Sequence, residues 1–575
     1  MFVAIARLLG NLIRLPLLPL WWLTRLISRP RGQWLLVRVR PRVVELERPH
    51  PFFLRFFPTV AKTLPTALSS LRRLADHAVR DHRVTGVVFE IPPLVAGWAT
   101  CASLRNVITK LRAGGKTVVA YLPQGGGNRE IYVASAAGRV LVGPQATVMA
   151  LGLSIEARYI KPLLHKIGLD VHATARGEYK TAAESVTRES MSDQQREQLS
   201  ALLAAMDREL VSSIAAMPGM DEQRARAAFE RGFLRGEDAV EAGLAEATCY
   251  EDELPVKLAV DGGKPVGLIR APRYLAFKDA RWFKRIVPQP YVAVIEVHGP
   301  IMQQAPGSMG RGGADPDQLA TVLRAARSDR FAVGVVLHVS SPGGSALASD
   351  LIHREVVRLR EKKPVIACFG DVAASGGYYV AAAANAIVAQ PVTLTGSIGV
   401  VMARVVAREL FDKLGVRTET IKTAPHADLF SPSRELTGDE QAILDREADG
   451  FYSTFVGLVA EGRGRPREEI EPLARGRVWS GADAKERGLV DELGGLDTAI
   501  ELCKERASVP ERVRRRVGAR TVRLRRFEPP PPEPPAAAAG AAMLLGGLGP
   551  EALELLSLLG TGDRALFWAV PPRVY

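Results

Sequence analysis

Residues 117–153, TVVAYLPQGGGNREIYVASAAGRVLVGPQATVMALGL, can be laid without a gap on residues 364–400, PVIACFGDVAASGGYYVAAAANAIVAQPVTLTGSIGV, at an offset of 247. Tyr132 meets Tyr379, Pro144 meets Pro391 and Gly152 meets Gly399. Upstream, Gly86-Val-Val-Phe-Glu-Ile matches Gly334-Val-Val-Leu-His-Val one residue out of that register, and each run is rich in the β-branched residues of a strand. Downstream, Gly236-Glu-Asp-Ala-Val-Glu-Ala-Gly-Leu matches Gly481-Ala-Asp-Ala-Lys-Glu-Arg-Gly-Leu. An internal repeat on this scale predicts one α/β fold used twice, over residues 33–265 and 288–507, with 266–287 as a linker. Each copy runs strand, helix, strand, helix, which favours a mainly parallel sheet or a spiral of strand–strand–helix turns.

The copies differ where chemistry would sit. In the second, the apolar run 364–369 reads as a buried strand and the residues after Tyr379 as a packed helix. Ser375 then stands at the first turn of that helix, where free backbone N–H groups and the dipole favour an oxyanion. Gly376 and Gly377 leave room for a substrate backbone. In the gapless register the first copy has Asn128 opposite Ser375. The paired-glycine turn Ser341-Pro-Gly-Gly-Ser345 faces Pro93-Leu-Val-Ala-Gly97, so the first copy lacks that turn as well. Conversely, Lys180 in Gly177-Glu-Tyr-Lys-Thr181 faces Ala427. One half offers a serine, the other a lysine.

A serine hydroxyl needs an adjacent base to attack at neutral pH. There is no histidine from Ser375 through Pro425; His338 is the nearest alternative, and it reads as a strand residue facing a neighbour or solvent. A lysine can take the role when burial disfavours its charged form. Ser397, in Thr395-Gly-Ser-Ile-Gly399, either orients that amine or is a turn serine satisfying its own backbone.

With 575 residues the chain exceeds one core, and 24% charged residues mark it as an ordinary globular protein. The four cysteines, at 101, 249, 368 and 503, match no metal-ligand spacing, and Cys368 falls in an apolar strand. The net charge of +14 is largely local: residues 512–526 hold eight arginines, and the first 43 residues add more. Basic flanks beside apolar segments meet anionic lipid or solvent more often than DNA, and no nucleic-acid motif is present. Arg7, Arg14 and Arg25 fall on nearly one helical face of the Leu- and Trp-rich residues 1–27, which argues for a helix in the membrane interface. Pro16 and Pro19 interrupt that face, and the longest charge-free run, 15–24, is too short to span a bilayer core of about 30 Å unaided. A tilted span with snorkelling arginines, a cleaved signal peptide, against which no clear small-x-small cleavage site follows, and a helix docked on its own domain are the other readings of this stretch, which with the residues up to 32 forms a membrane-associated N-terminal segment. Residues 508–535 read as a basic and Pro-rich linker, with 529–535 stiff and extended, and 536–575 as an apolar tail with a helix at 550–559.

Ser341-Pro-Gly-Gly-Ser345, Ala374-Ser-Gly-Gly-Tyr378, Thr395-Gly-Ser-Ile-Gly399 and Glu178-Tyr-Lys-Thr181 together resemble the signal peptide peptidase SppA family, or protease IV, in its long two-domain form, over residues 35–507. The resemblance implies tandem ClpP/crotonase-like domains, a membrane-anchored homotetramer, and a Ser/Lys dyad that degrades signal peptides left in the bacterial inner membrane, with the catalytic domains on the extracytoplasmic side. Carried over by motif, Ser375 is the nucleophile, Lys180 the general base and Ser397 a helper beside the lysine, while Gly343 and Gly376 offer oxyanion N–H groups. It implies no metal and no organic cofactor. Two other classes stay open: a crotonase-like enzyme acting on acyl-CoA, and a catalytically inactive membrane scaffold that has kept the fold.

Overall fold

The computed structural model describes residues 2–47, 64–259, 263–283, 285–286, 289–303, 313–510, 514, 517–522 and 573–574. The Pro-rich stretch, the alanine run and the helix expected at 550–559 lie outside these residues. The fold is α/β, and it is duplicated. One six-stranded parallel sheet has the order Ala247–Thr248, Arg139–Val142, Thr117–Leu122, Gly86–Glu90, Trp34–Arg38, Leu268–Arg270. The other runs Val478–Ser480, Leu394–Gly396, Val365–Ala374, Ala332–Ser341, Tyr291–His298, Gly518–Thr521, parallel except at Val478–Ser480, with Ala386–Ala389 also pairing beside Val365–Ala374. Val119 lies opposite Arg139 and Ile366 opposite Ala386, so the two ladders share the 247-residue offset of the sequence match.

Both central ladders are buried on both faces, which is why their strands read as unbroken apolar runs instead of alternating ones. Val87, Val88 and Phe89 are fully buried, as are Val335, Val336 and Leu337 in the second copy. Two expected linkers prove to be partly sheet. Leu268–Arg270 pairs with Trp34–Leu36, and Gly518–Thr521 with Tyr291–Val294, so each copy closes with a short edge strand beyond the boundaries expected at 265 and 507. These strands are three and four residues long and arginine-bearing, too brief for a periodic signal.

The halves are tied together by polar contacts as well as packing. The Asp371 carboxylate accepts from Thr100 N at 2.9 Å and from Thr100 Oγ1 at 2.8 Å, capping helix Trp98–Ala113 from the opposite copy. The helix's own cap position is Gly97, where a Cβ would lie 2.1 Å from the Asp371 carboxyl carbon. A cap of this kind contributes about 1 kcal/mol.

At the N-terminus the chain forms helices Phe2–Arg14 and Leu18–Ile27, joined by a 3₁₀ turn at Leu15–Leu17 where Pro16 removes an amide donor. The three arginines do share a face, and that face is turned inward: Arg7, Arg14 and Arg25 donate to the carbonyls of Arg285, Trp282 and Ala280. Leu9, Leu12, Ile13, Leu20, Trp22 and Leu26 are left exposed. Among the described residues no helix is long and apolar enough to cross a membrane.

Candidate active site

One antiparallel ladder between the halves sets the geometry of the site. Strand Asp170–Arg176 of the first copy pairs along its whole length with Val400–Val406 of the second. Directly after Arg176 the chain reverses at Gly177, at φ +97°, where a Cβ would come within 2.2 Å of the Arg475 carbonyl carbon. Lys180 follows three residues later, while Ser397 stands just before the partner strand. The ladder therefore brings the lysine of one copy to the serines of the other within a single chain.

Lys180 Nζ lies 3.1 Å from Ser375 Oγ, 2.9 Å from Ser397 O and 2.9 Å from Ser397 Oγ. Lys180 is buried, and burial alone pulls its pKa down to about 7. A neutral amine has two N–H donors and one lone pair, and three oxygens surround it. The donors suit Ser397 O and Ser397 Oγ, which leaves the lone pair for the Ser375 hydroxyl.

Ser375 sits at the cap of helix Gly376–Ala382, one residue ahead of the first turn in which it was expected, at φ 52°, ψ −121°. A non-glycine residue held there costs on the order of 1–3 kcal/mol and needs support on both sides. Ser375 N donates to Gly396 O at 2.9 Å, and Ser375 O accepts from Tyr379 N at 2.9 Å. The sharp strand-to-helix turn aims Oγ into a cavity of about 170 Å³, whose walls include Pro300, Ala346, Tyr379, Val400, Phe451 and Phe455.

Gly376 N–H, in the first helical turn, has no intrahelical acceptor. Gly343 has φ +103°, and a Cβ there would stand 2.7 Å from Gly376 N and 2.8 Å from Ser375 Cβ. Only glycine keeps this floor of the cavity clear. Gly343 N–H donates to Ser341 Oγ at 3.1 Å, so taking an oxyanion means exchanging that partner. His338 is buried in its strand, with its Nδ1 2.7 Å from His298 Nε2. Burial first, then His298, holds its pKa well below the ordinary value, so it is neutral and bonded away from Ser375.

The model of peptidase family S49 matches residues 110–262 and 357–510. The chain is 34% identical to the chloroplast serine protease SPPA of Arabidopsis thaliana, over 77% of this chain and 66% of the plant protein. It is 31% identical to protease 4 of Salmonella typhi, over 77% of this chain and 72% of that one, and 32% identical to protease 4 of Haemophilus influenzae, over 75% and 71%. The chain belongs to peptidase family S49. One matched block of this S49 chain holds Lys180; the other holds Ser375 and Ser397. Among solved structures, a ClpP1 mutant from Listeria monocytogenes matches 36% of this chain and 94% of its own at 18% identity, with a TM-score of 0.25.

Motif reading alone did not find the turn Arg475-Gly476-Arg477 of the second S49 block, which is wedged between Lys180 and Ser397. Tyr179 N donates to Arg475 O at 2.9 Å, Gly476 N to Ile398 O at 2.8 Å, and Ser397 N to Arg477 O at 2.7 Å. A Cβ on Gly476, at φ +77°, would lie 2.5 Å from both Lys180 N and Lys180 Cβ. A signal did exist. Arg231-Gly-Phe-Leu-Arg-Gly236 is a copy, one residue shorter, of Arg475-Gly-Arg-Val-Trp-Ser-Gly481. The first half also differs from its sequence register at the helix cap: Gly127 holds the cap position, and Asn128 is the first helical residue.

Proposed function

We propose that this S49 chain is a membrane-associated serine endopeptidase with a Ser375/Lys180 dyad, acting on apolar peptides such as cleaved signal peptides. The observation that carries this reading is the buried Lys180 amine 3.1 Å from Ser375 Oγ. Neutral Lys180 takes the hydroxyl proton as Ser375 Oγ attacks the peptide carbonyl. The Gly376 N–H and the released Gly343 N–H stabilise the tetrahedral oxyanion, and the ammonium then protonates the leaving amine. The same lysine activates water to hydrolyse the acyl-enzyme. Ser397 keeps the amine aimed through its carbonyl and hydroxyl, and the cavity walls favour apolar side chains beside the cut.

The exposed apolar side chains between Ile5 and Ile27 support attachment to lipid with both helices lying in the interface, arginines turned to the protein. The resemblance gives the site as the bacterial inner membrane, with the catalytic halves extracytoplasmic. Self-association, a tetramer by the same resemblance, is supported by the repeat. Residues 417–423, the counterparts of Asp170–Arg176, are exposed throughout, and a second copy carries residues 153–159, the counterparts of Val400–Val406, of which Ile155–Glu156 would have to exchange their pairing with Arg573–Val574.

Hydrolysis of an apolar fluorogenic peptide by wild type, Ser375→Ala and Lys180→Ala, with fluorophosphonate labelling and a circular-dichroism check of folding, tests the dyad. Wild type cleaves and labels on Ser375, and both folded variants are silent. Full activity in Lys180→Ala would remove lysine as the base.

A further inference from the structure

Gln198 lies on the long helix Asp193–Ala215, whose cap Ser192 accepts from Gln195 N at 3.1 Å, and the residue is 4% exposed. Its Nε2 donates to Thr181 Oγ1 at 2.7 Å and to Tyr179 O at 3.3 Å, on either side of Lys180. Its Oε1 accepts from Val478 N at 3.2 Å, across the boundary between the halves. The orientation of the amide is fixed by chemistry, because Tyr179 O only accepts and Val478 N–H only donates. Val478 lies opposite Gly396 in the antiparallel pair, and the residue before it, Arg477, holds Ser397 N. Ser397 in turn holds Lys180 Nζ through two oxygens. The bonds thus close a circuit from the Lys180 backbone through Gln198, Val478 and Ser397 back to the Lys180 amine.

We propose that Gln198 is a positioning residue for the dyad, its amide fixing the backbone on both sides of Lys180 to the strand that holds Ser397. This inference rests on the dyad reading above. A buried amide with both N–H groups spent is a costly way to fill space, and a leucine in its place would orphan Val478 N–H and leave Tyr179 O with only its Thr181 N–H donor. What the amide adds is register between two halves of the chain. Displacing a reacting group by about 1 Å costs on the order of 100-fold in rate. Loosening this circuit also lets water reach the amine, which returns its pKa towards the ordinary lysine value. The charged groups on the elements packed around it are engaged with one another: Glu178 with Arg475, Glu197 with Arg477, and Arg176 with Asp445 and Asp449. The amine is therefore tuned by its enclosure.

The test is Gln198→Leu and Thr181→Val in the full-length protein, alone and combined, with kcat and KM measured from pH 5 to 10 and thermal unfolding on the same samples. Gln198→Leu lowers kcat at pH 7 by about 10- to 100-fold with KM within about twofold, and moves the acid limb of the pH profile upward. Thr181→Val does the same by about 3-fold, and the double variant is no worse than Gln198→Leu, since both break one circuit. The inference is overturned if folded Gln198→Leu keeps its kcat, or loses it with the acid limb unmoved, which is the mark of a merely structural residue. A wild type that neither cleaves nor labels on Ser375 overturns the dyad reading itself, and it does so before any Gln198 variant is made.

Discussion

The two halves build the same strand-to-helix corner and furnish it in opposite ways. In the second half the corner faces an open cavity, with Ser375 at the cap and Gly377 behind it. In the first half Glu130 stands at the position of Gly377 in the gapless register, and its carboxylate is buried in the corner. Oε2 accepts from Gly127 N at the helix cap at 2.6 Å, and Oε1 from Leu94 N at 2.5 Å, in the segment that matches the Ser341–Ser345 turn. Asn128 is likewise drawn into structure, donating from Nδ2 to Gly152 O at 2.5 Å. Burial pushes the Glu130 carboxyl upward while these backbone donors hold it down. One copy thus uses a side chain of its own to fill the corner that the other leaves open to its cavity. Having closed its own corner, the first half gives Lys180 to its neighbour.

The comparison breaks most visibly at the dyad. Ser375→Ala or Lys180→Ala lowers kcat/KM by about 1,000-fold or more, whereas Asn128→Ala, the matching change in the first half, alters it less than twofold; peptide hydrolysis reads both. The glycine floor comes next. Gly343→Val fills the space before Gly376 N–H at a positive φ and costs on the order of 100-fold in kcat, while Val95→Gly, its counterpart one residue off the gapless register, is silent.

The pH response sharpens the contrast in basicity. The Lys180 pKa of about 7 lies below the ordinary 10.5, so the unfolded chain holds more protons between those values and wild-type stability rises with pH across that interval. Lys180→Met is therefore more stable than wild type by on the order of 3–5 kcal/mol below pH 7. The gap shrinks as pH rises towards 10.5, and calorimetry from pH 6 to 10 follows it. In wild-type hydrolysis the acid limb falls off near pH 7. Ser397→Ala costs only about 10-fold in kcat, because the Ser397 carbonyl keeps its bond to the amine. Glu130→Gln is the mildest change: activity stays within twofold and stability drops by about 1–2 kcal/mol, measured by chemical denaturation.

Ser375 and Lys180 were legible because duplication supplies an internal control: a residue present in one copy and missing from the other stands out even in one sequence. The buried central strands were legible from their unbroken apolar runs. Gln198 was not, because its contacts are made by an amide whose partners lie far along the chain and leave no motif; Arg475-Gly476-Arg477 left only the one-residue-shorter copy at Arg231–Gly236, which shows a repeat without showing what its backbone atoms hold. The edge strands at 268–270 and 518–521 were lost for another reason. They are short and basic, and they exist only because a finished sheet offers them an edge. The inward turn of Arg7, Arg14 and Arg25 escaped too, since periodicity shows that residues share a face without showing where it points.

The ladder between Asp170–Arg176 and Val400–Val406 also carries a consequence for the cell that makes the protein. The proposed base and nucleophile are 195 positions apart in sequence, and neither half holds both. On the dyad reading, a nascent chain emerging from the ribosome is chemically inert until the second half has been made and has captured the first half's strand. A fragment released by nicking between the halves is disarmed in the same way. Splitting the proposed dyad between the halves guards the producer as a zymogen would.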